Sequence, residues 1–470
     1  MKLSHSPYLL QLKPTLRLLL DELYKEYPYA SVLATSVEKR SYSVSRSGSS
    51  VRASQADRGF VVRVHDGKSY VEYSANELTP ETIPTLVEGI RSELLQMGES
   101  LEIGDFKLPD DEPLSIDSCE EVLIHPATFG DAGILARLGE ARKAALAKDE
   151  RIVDAPVFAS WQEQHQLFLS RNRDLIQSSL WMNAGINLAA MRDEEVKSYY
   201  RAYSGLGGVE VLDGMLDDIP ELVSVTVSLL DAEPMIPGEY DCICTPEVTG
   251  MIVHEAFGHG VEMDMFVKDR ALAASYVGKQ VASPLVTMHD GAAAARQTAT
   301  YAFDDEGTEA KDTVVIDNGI LVSGISDALT ADRLGTAPTG NGRRESYRRK
   351  AYTRMTNTFF EGGTDKLEDM IASISYGFLL ENATSGMEDP KNWGIQCMVN
   401  IAREIKDGRL SGRIFSPIVL TGYVPDLLCS ISMMSETPIL SGSGFCGKGY
   451  KEWVKVSDGG PYIKARIRLG

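Results

Sequence analysis

The 470-residue chain is short of positive charge: 47 Lys and Arg stand against 67 Asp and Glu, a formal charge of −20. Such a surface repels phosphate backbones, so nucleic acid is excluded as a sequence-independent partner, and an anionic membrane surface is a poor one. The chain also lacks any uninterrupted apolar run of about 18 residues, so no transmembrane helix is expected. The N-terminal stretch is broken by Gln11, Lys13, Arg17, Asp21 and Glu22 and has no signal-peptide shape. Its cysteines are few and scattered (Cys119, Cys242, Cys244, Cys397, Cys429 and Cys446), so they form no disulfide framework and read as reduced thiols. There is no internal repeat and no low-complexity segment. These absences together predict a soluble, cytoplasmic globular protein, and its length allows two or three domains.

The apolar pattern is ordinary for a globular chain and rich in local signals. Leu9, Leu12, Leu16, Leu19, Leu20 and Leu23 recur at helical spacing. Asp66-Gly67 and Asn318-Gly319 sit between β-rich arms and read as hairpin turns. A helix is expected from Thr79 as N-cap and Pro80 as first residue to Gly98 as its stop. Residues 100–120 read as a loop, 130–150 as a second amphipathic helix, and 156–212 as antiparallel strands. A short helix follows near 215–230, then the strand GEYDCIC, whose alternation puts Cys242 and Cys244 on one face. The rest is mostly short strands separated by Gly, Asn and Asp. The expected fold class is α+β: a mixed helix and antiparallel-sheet domain over 1–215, then a mostly β domain over 216–470, crossed by a helix that carries the chemistry.

That helix is in TPEVTGMIVHEAFGHGVE. Thr245 can cap it, Pro246 fits its first turn, and Glu247 suits the dipole at its N-terminus. Val248, Met251, Ile252 and Ala256 supply a buried stripe. His254 and His259 are five apart, with Glu255 beside the first. Zinc peptidase helices usually place two histidines four apart. In a regular α-helix, positions five apart point roughly 140° away from each other. Either a π-turn brings them together, or the helix ends at Gly258 and the chain turns back, with Gly258 and Gly260 allowing unusual dihedrals. A catalytic zinc site needs a third protein ligand. Glu262, Asp264, His289 and a distant cysteine are candidates. Cys446 stands out because Gly444, Gly447 and Gly449 free its backbone and Lys448 would lower its pKa. RMTNTFF (354–360) is the candidate exposed edge for capturing an extended peptide by strand addition. The acids Asp304 to Glu306 read as an acidic turn, and TGNGRRESYRRK (339–350) as a solvated basic loop.

Taken together, HEAFGHGVEMD, ATYAFDDEGT, TGNGRR, RMTNTFFEGG, GYVPDLL and GFCGKGYKEWVKV resemble the TldD/PmbA family, in the family's order and over most of the chain. The resemblance implies a zinc metallopeptidase with one Zn²⁺ per chain, held by His254, His259 and Cys446, with Glu255 as general base. It implies a peptide substrate and either a PmbA-like heterodimer partner or a second copy, enclosing a chamber. The retained histidines, glutamate and cysteine put the chain on the TldD side. GVEMDMF and CGKGYKEW depart from the family's usual text, near GLEGD and CGKxGQ, and bear on substrate and partner choice. The alternative is a non-catalytic partner subunit with a vestigial or structural metal site. A role as a nucleic-acid-binding modulator of gyrase is disfavoured by the charge.

Overall fold

A computed structural model describes residues 1–100, 107–449 and 451–470, without the side chains of 97–100. The opening leucines form the helix Pro7–Leu23, burying Leu9, Leu16, Leu19, Leu20 and Leu23. With the helix Ile83–Ser100 it packs on one face of a nine-stranded sheet, against Val32, Ala34, Val62 and Leu167. The backbone of this sheet runs in the order Tyr70–Ala75, Asp57–His65, Tyr29–Ser45, Val157–Leu169, Arg173–Arg192, Leu114–Cys119. Side chains alternate along a strand. Leu33, Val61, Phe168 and Leu175 therefore face the other side, where they enclose Phe303 from the C-terminal half. The helices Asp131–Lys148 and Met215–Ser228 extend the covered face and share a core with Trp161, Met182, Ile401 and Ile414.

The C-terminal half is mostly strand. A seven-stranded sheet pairs Gly238–Cys244 with Tyr376–Asp389 in parallel and with Ile463–Leu469 in antiparallel. A six-stranded sheet holds Met288–Asp290, Asn357–Phe360 and Ser457–Gly460 side by side. The motif helix lies between the two. Val248, Ile252, Val253, Ala256 and Phe257 share one apolar core with Met288 and Phe360 of one sheet and Phe378, Leu380 and Ile395 of the other. Helices and antiparallel sheets with a β-rich C-terminal region make the fold α+β, as expected. No helix among the described residues is long and apolar enough to cross a membrane.

Both hairpin turns form. Asn318 and Gly319 have φ of 46° and 84°, the mirror-image turn that matches strand twist. Four expectations fail. The second helix starts at Ile83, three residues after Pro80, because Thr79 and Thr82 first close a turn of their own. It runs to Ser100, so Gly98 does not stop it. Leu114–Cys119, expected as loop, is a strand parallel to Arg173–Ser178; residues 101–106 of that expected loop lie outside the described residues. RMTNTFF is not an edge, since Asn357–Phe360 is flanked by Met288–Asp290 and Ser457–Gly459.

A buried ion network joins the halves. Arg63 donates to Glu72 at 2.9 Å and to Glu306 at 2.5 Å, and Arg344 adds two hydrogen bonds to Glu72. The acidic turn is thus buried structure: Asp304 accepts from Gly342 N, and Asp305 from Arg344 N and Gln166. The basic loop is likewise anchored rather than free in solvent. Burial alone would raise the Glu72 carboxyl, but Arg63 and Arg344 outweigh it and hold it well below 4.5. A carboxylate with a depressed folded pKa contributes stability that is present above its unfolded value and lost as pH falls. Glu72→Gln leaves two buried guanidiniums short of a partner and is expected to cost about 3 kcal/mol at pH 7. Thermal unfolding at pH 7 and pH 3 checks this: the variant should show a smaller loss between the two pH values than the parent.

Candidate metal centre

The motif helix resolves the spacing problem by changing its winding. Pro246–Ile252 is α-helical, Val253–Gly258 is a π-helical turn, and His259–Val261 tightens to a 3₁₀ turn. The wider turn brings positions i and i+5 onto one side. The rings of His254 and His259 lie 5.1 Å apart, edge to face at 82°. Gly258 is helical, with φ −62° and ψ −50°, so it is not there for an unusual dihedral. It is there for space: a Cβ would come within 2.2 Å of the Met355 sulfur. At Gly260 a Cβ would meet Glu388 Oε1 at 2.6 Å, and at Gly250 the Asp458 carboxylate at 2.7 Å.

Cys446, 187 residues from His259, arrives on the short strand Phe445–Cys446 and places Sγ 3.3 Å from His259 Nε2. One ligand atom each of His254, His259 and Cys446 lies within 4.8 Å of the other two. Burial would raise the Cys446 thiol, yet His254 and His259 outweigh it and bring it down to about 4. Burial would lower His254, but the thiolate raises it to about 9; His259 is raised well above 6.5 by the same balance. His254 Nδ1 is buried without a hydrogen-bond partner. Three soft or borderline donors, one of them a stabilised thiolate, fit a zinc-type ion.

The other expected ligands do other work. Glu262 accepts from His259 Nδ1 at 3.4 Å and from Lys448 at 3.1 Å, so it orients the imidazole and turns Nε2 toward the sulfur. Asp264 takes Lys448 at 2.7 Å and Lys268 at 2.8 Å. His289 is elsewhere, between Asp312 at 2.6 Å and Glu361 at 2.8 Å and stacked on Phe359. Lys448 serves these acids and Thr353 O; the fall in the Cys446 pKa comes from the histidines instead. Glu255 lies against strand Tyr376–Asp389, where a Cβ on Gly386 would come within 2.4 Å of its Cγ.

Sequence reasoning missed Arg354, Glu388 and Asp458. Arg354 is fully buried, donates to the Cys446 carbonyl at 2.7 Å and to the Glu452 carbonyl, and forms an ion pair with Glu262 at 3.4 Å without a hydrogen bond. Its signal was an arginine heading an otherwise uncharged strand segment. Glu388 is pushed well above 4.5 by burial and has neither oxygen hydrogen-bonded; Asp458 is raised by burial to about 6.

A β-rich half crossed by a helix, with two helix histidines meeting a distant cysteine, defines a candidate metal-binding site. Residues 237–467 match the model of the PmbA/TldA metallopeptidase C-terminal domain. These residues carry the PmbA/TldA metallopeptidase C-terminal domain, and the chain is similar to the TldD homologs of that family. It is 30% identical over 65% of its length to a metalloprotease of Methanothermobacter thermautotrophicus, covering 66% of that protein. It is 32% identical over 50% of its length to a zinc metalloprotease TldD homolog of Saccharolobus solfataricus, covering 52% of it. These matches span half to just under two thirds of the relatives' own length. The crystal structure of TldE from Thermococcus kodakarensis superposes with a TM-score of 0.76 at 19% identity, over 97% of this chain and 100% of that one, and so shares the fold.

The packing at the π-turn is testable. Gly258→Ala should destabilise the protein by about 1–3 kcal/mol through its clash with Met355. Met355→Ala on its own opens a cavity, but the double variant should be more stable than the sum of the two predicts by at least about 1 kcal/mol. Thermal or urea unfolding of the four proteins checks it; strict additivity would show that the clash is absent.

Proposed function

We propose that the chain is a zinc-dependent peptidase that hydrolyses unfolded or extended peptides, with His254, His259 and Cys446 as the metal ligands and Glu255 as general base. The observation that carries this is the convergence of two helix histidines and a low-pKa cysteine from distant segments, with an acid next to the first histidine. A bound zinc ion would supply Lewis acidity to a scissile carbonyl and acidity to a water. The chain supplies the rest. Glu255, on the same turn as His254, takes a proton from the attacking water and returns it to the leaving amine. Glu262 keeps the His259 Nδ1 proton in place, which leaves Nε2 free to ligate. Arg354 fixes the Cys446 backbone through its carbonyl.

The relatives' names support metalloprotease activity, and one of them names zinc. The likeness to TldE supports assembly with a second chain of the same family, heterologous or identical, to enclose the site. The chain is proposed to divide near 215/216, the metal centre lying in the second part. RMTNTFF drops out as a peptide-capturing edge, because both its neighbours are strands. A non-catalytic subunit with a structural metal would leave Glu255, next in sequence to His254, without a task.

Elemental analysis beside peptidase assays tests this. The parent should hold about one zinc per chain, and Cys446→Ser should lose it. Glu255→Gln should keep the zinc and lose hydrolysis by about 10²–10⁴-fold. Glu262→Gln should weaken zinc binding by about 10–100-fold. Full zinc retention in Cys446→Ser would remove the cysteine from the ligand set, and undiminished hydrolysis in Glu255→Gln would remove the base.

A further inference from the structure

A cleft runs between the second face of the nine-stranded sheet and the C-terminal half, lined in part by Thr35, Gln162, Gln164, Trp181, Phe445 and Lys455. Lys455 is its anomaly. The side chain is only 6% exposed, and Nζ has no hydrogen-bond partner. Among the described residues, the other deeply placed cations have partners: Arg63 and Arg344 pair with Glu72, Arg173 with Asp110, Arg354 with Glu262 and two carbonyls, and Lys448 with Glu262 and Asp264. Lys455 instead lies between two aromatic faces, 4.5 Å from the Trp181 ring centroid and 4.4 Å from that of Phe445. Ring faces attract the charge but accept none of its three N–H groups well. Burial without a counter-ion lowers its pKa to about 7.

The acids that line the cleft have partners of their own, Glu345 among them, which accepts from Glu452 N at 3.0 Å. Asp304 accepts from the N–H groups of Gly342, Glu306 and Thr308; Asp305 accepts from Arg344 N and Gln166. Arg343 donates to Met355 O, and Asp57 is held by Arg348. Lys455 is thus a buried amine whose charged form has no counter-ion in the cleft, and a bound anion would hold the proton on it. Its place gives the anion a context. Lys455 pairs with Phe445 on the two-stranded ladder, and Cys446 with Val454. Neighbouring residues of a strand point to opposite faces, so the cleft and the histidine–cysteine cluster lie on the two sides of one thin hairpin. The neutral amides of Gln162 and Gln164 opposite suit a peptide backbone rather than a phosphate.

We propose that Lys455, caged by Trp181 and Phe445, is the anchor for a peptide carboxylate, holding a bound chain on the cleft side of the hairpin that carries Cys446. This deepens the peptidase reading and rests on it for the identity of the ligand as a peptide. The carboxylate is supplied either by the peptide's C-terminus or by an acidic side chain.

The test is calorimetric titration of zinc-loaded Glu255→Gln protein with three probes: acetyl-hexaalanine as free acid, the same peptide as C-terminal amide, and an amidated version with one internal glutamate. At least one carboxylate-bearing peptide should bind at least tenfold more tightly than the plain amide, and which of the two does so identifies the source. Adding Lys455→Met should abolish that preference, while Lys455→Arg should keep part of it, which separates loss of charge from loss of fold. Equal binding of all three peptides, a preference that survives Lys455→Met, or no binding at all would overturn the proposal. Turnover by the parent enzyme is scored separately. A carboxylate preference without any cleavage would sink the peptidase reading and leave the anchor standing; cleavage without preference would do the reverse.

Discussion

A guanidinium with no exposed surface is the constraint from which the centre is built. Arg354 cannot be left uncompensated in the interior, because an unpaired buried charge costs several kcal/mol. The fold answers by surrounding it with partners: the accepting carbonyls of Cys446 and Glu452, and the Glu262 carboxylate as an ion pair at 3.4 Å. Those partners come from the segment after the motif helix and from the C-terminal hairpin, which are far apart in sequence. Satisfying one cation therefore brings together the two segments that bear the histidines and the cysteine. Lys448 repeats the device from the hairpin side by reaching Glu262 and Asp264. Glu262 is the hinge of the whole arrangement, since it faces Arg354, Lys448 and His259 together and is held well below 4.5 by them against its burial.

The π-turn makes sense within that frame. Inserting one extra residue into a helical turn forfeits regular hydrogen bonds, and such a bulge persists only where its surroundings hold it. Here they hold it sterically. Gly250, Gly258 and Gly260 let Asp458, Met355 and Glu388 press against the helix backbone, closer than any side chain would permit. The helix is wedged between two sheets, and its winding follows from what is packed on each side.

Local chemistry was legible in the sequence, and non-local pairing was not. The leucine-spaced first helix, the two Gly turns and the long antiparallel strands follow from periodicity and turn residues that act within a few positions. The motif helix was legible too, and its awkward five-residue spacing correctly limited the geometry to two forms. By contrast, Leu114–Cys119 is a strand because Arg173–Ser178 lies beside it, and nothing within the segment announces a parallel partner. Asn357–Phe360 looked like an edge because edge and centre differ only in what lies alongside. His289 and Asp264 could not be told from ligands by composition, since what removes them is the company they keep: Asp312 and Glu361 for one, Lys448 and Lys268 for the other. Among the candidate third ligands, only the family resemblance singled out Cys446 as the ligand. The physical reason it reaches the histidines, Arg354, lies between two short strands, in a stretch read as a peptide-capturing edge.

The electrostatics of the centre explain how such a site can exist before an ion enters. A thiolate buried beside two imidazoles is costly unless the imidazoles carry protons, and the thiol at about 4 and His254 at about 9 describe that exchange. With both rings protonated and the sulfur ionised, the three side chains carry a net charge of +1. In the proposed zinc site, a divalent ion with one thiolate and two neutral histidines carries +1 as well. The surroundings that face the cluster, Glu262 above all, therefore meet the same total charge in both conditions. The buried network of Arg354, Lys448, Glu262 and Asp264 would face the same total charge with the protons or with the ion. A preorganised site of this kind spends little on reorganisation, which is the physical advantage of building its ligands on a packed helix and a clamped hairpin rather than on free loops.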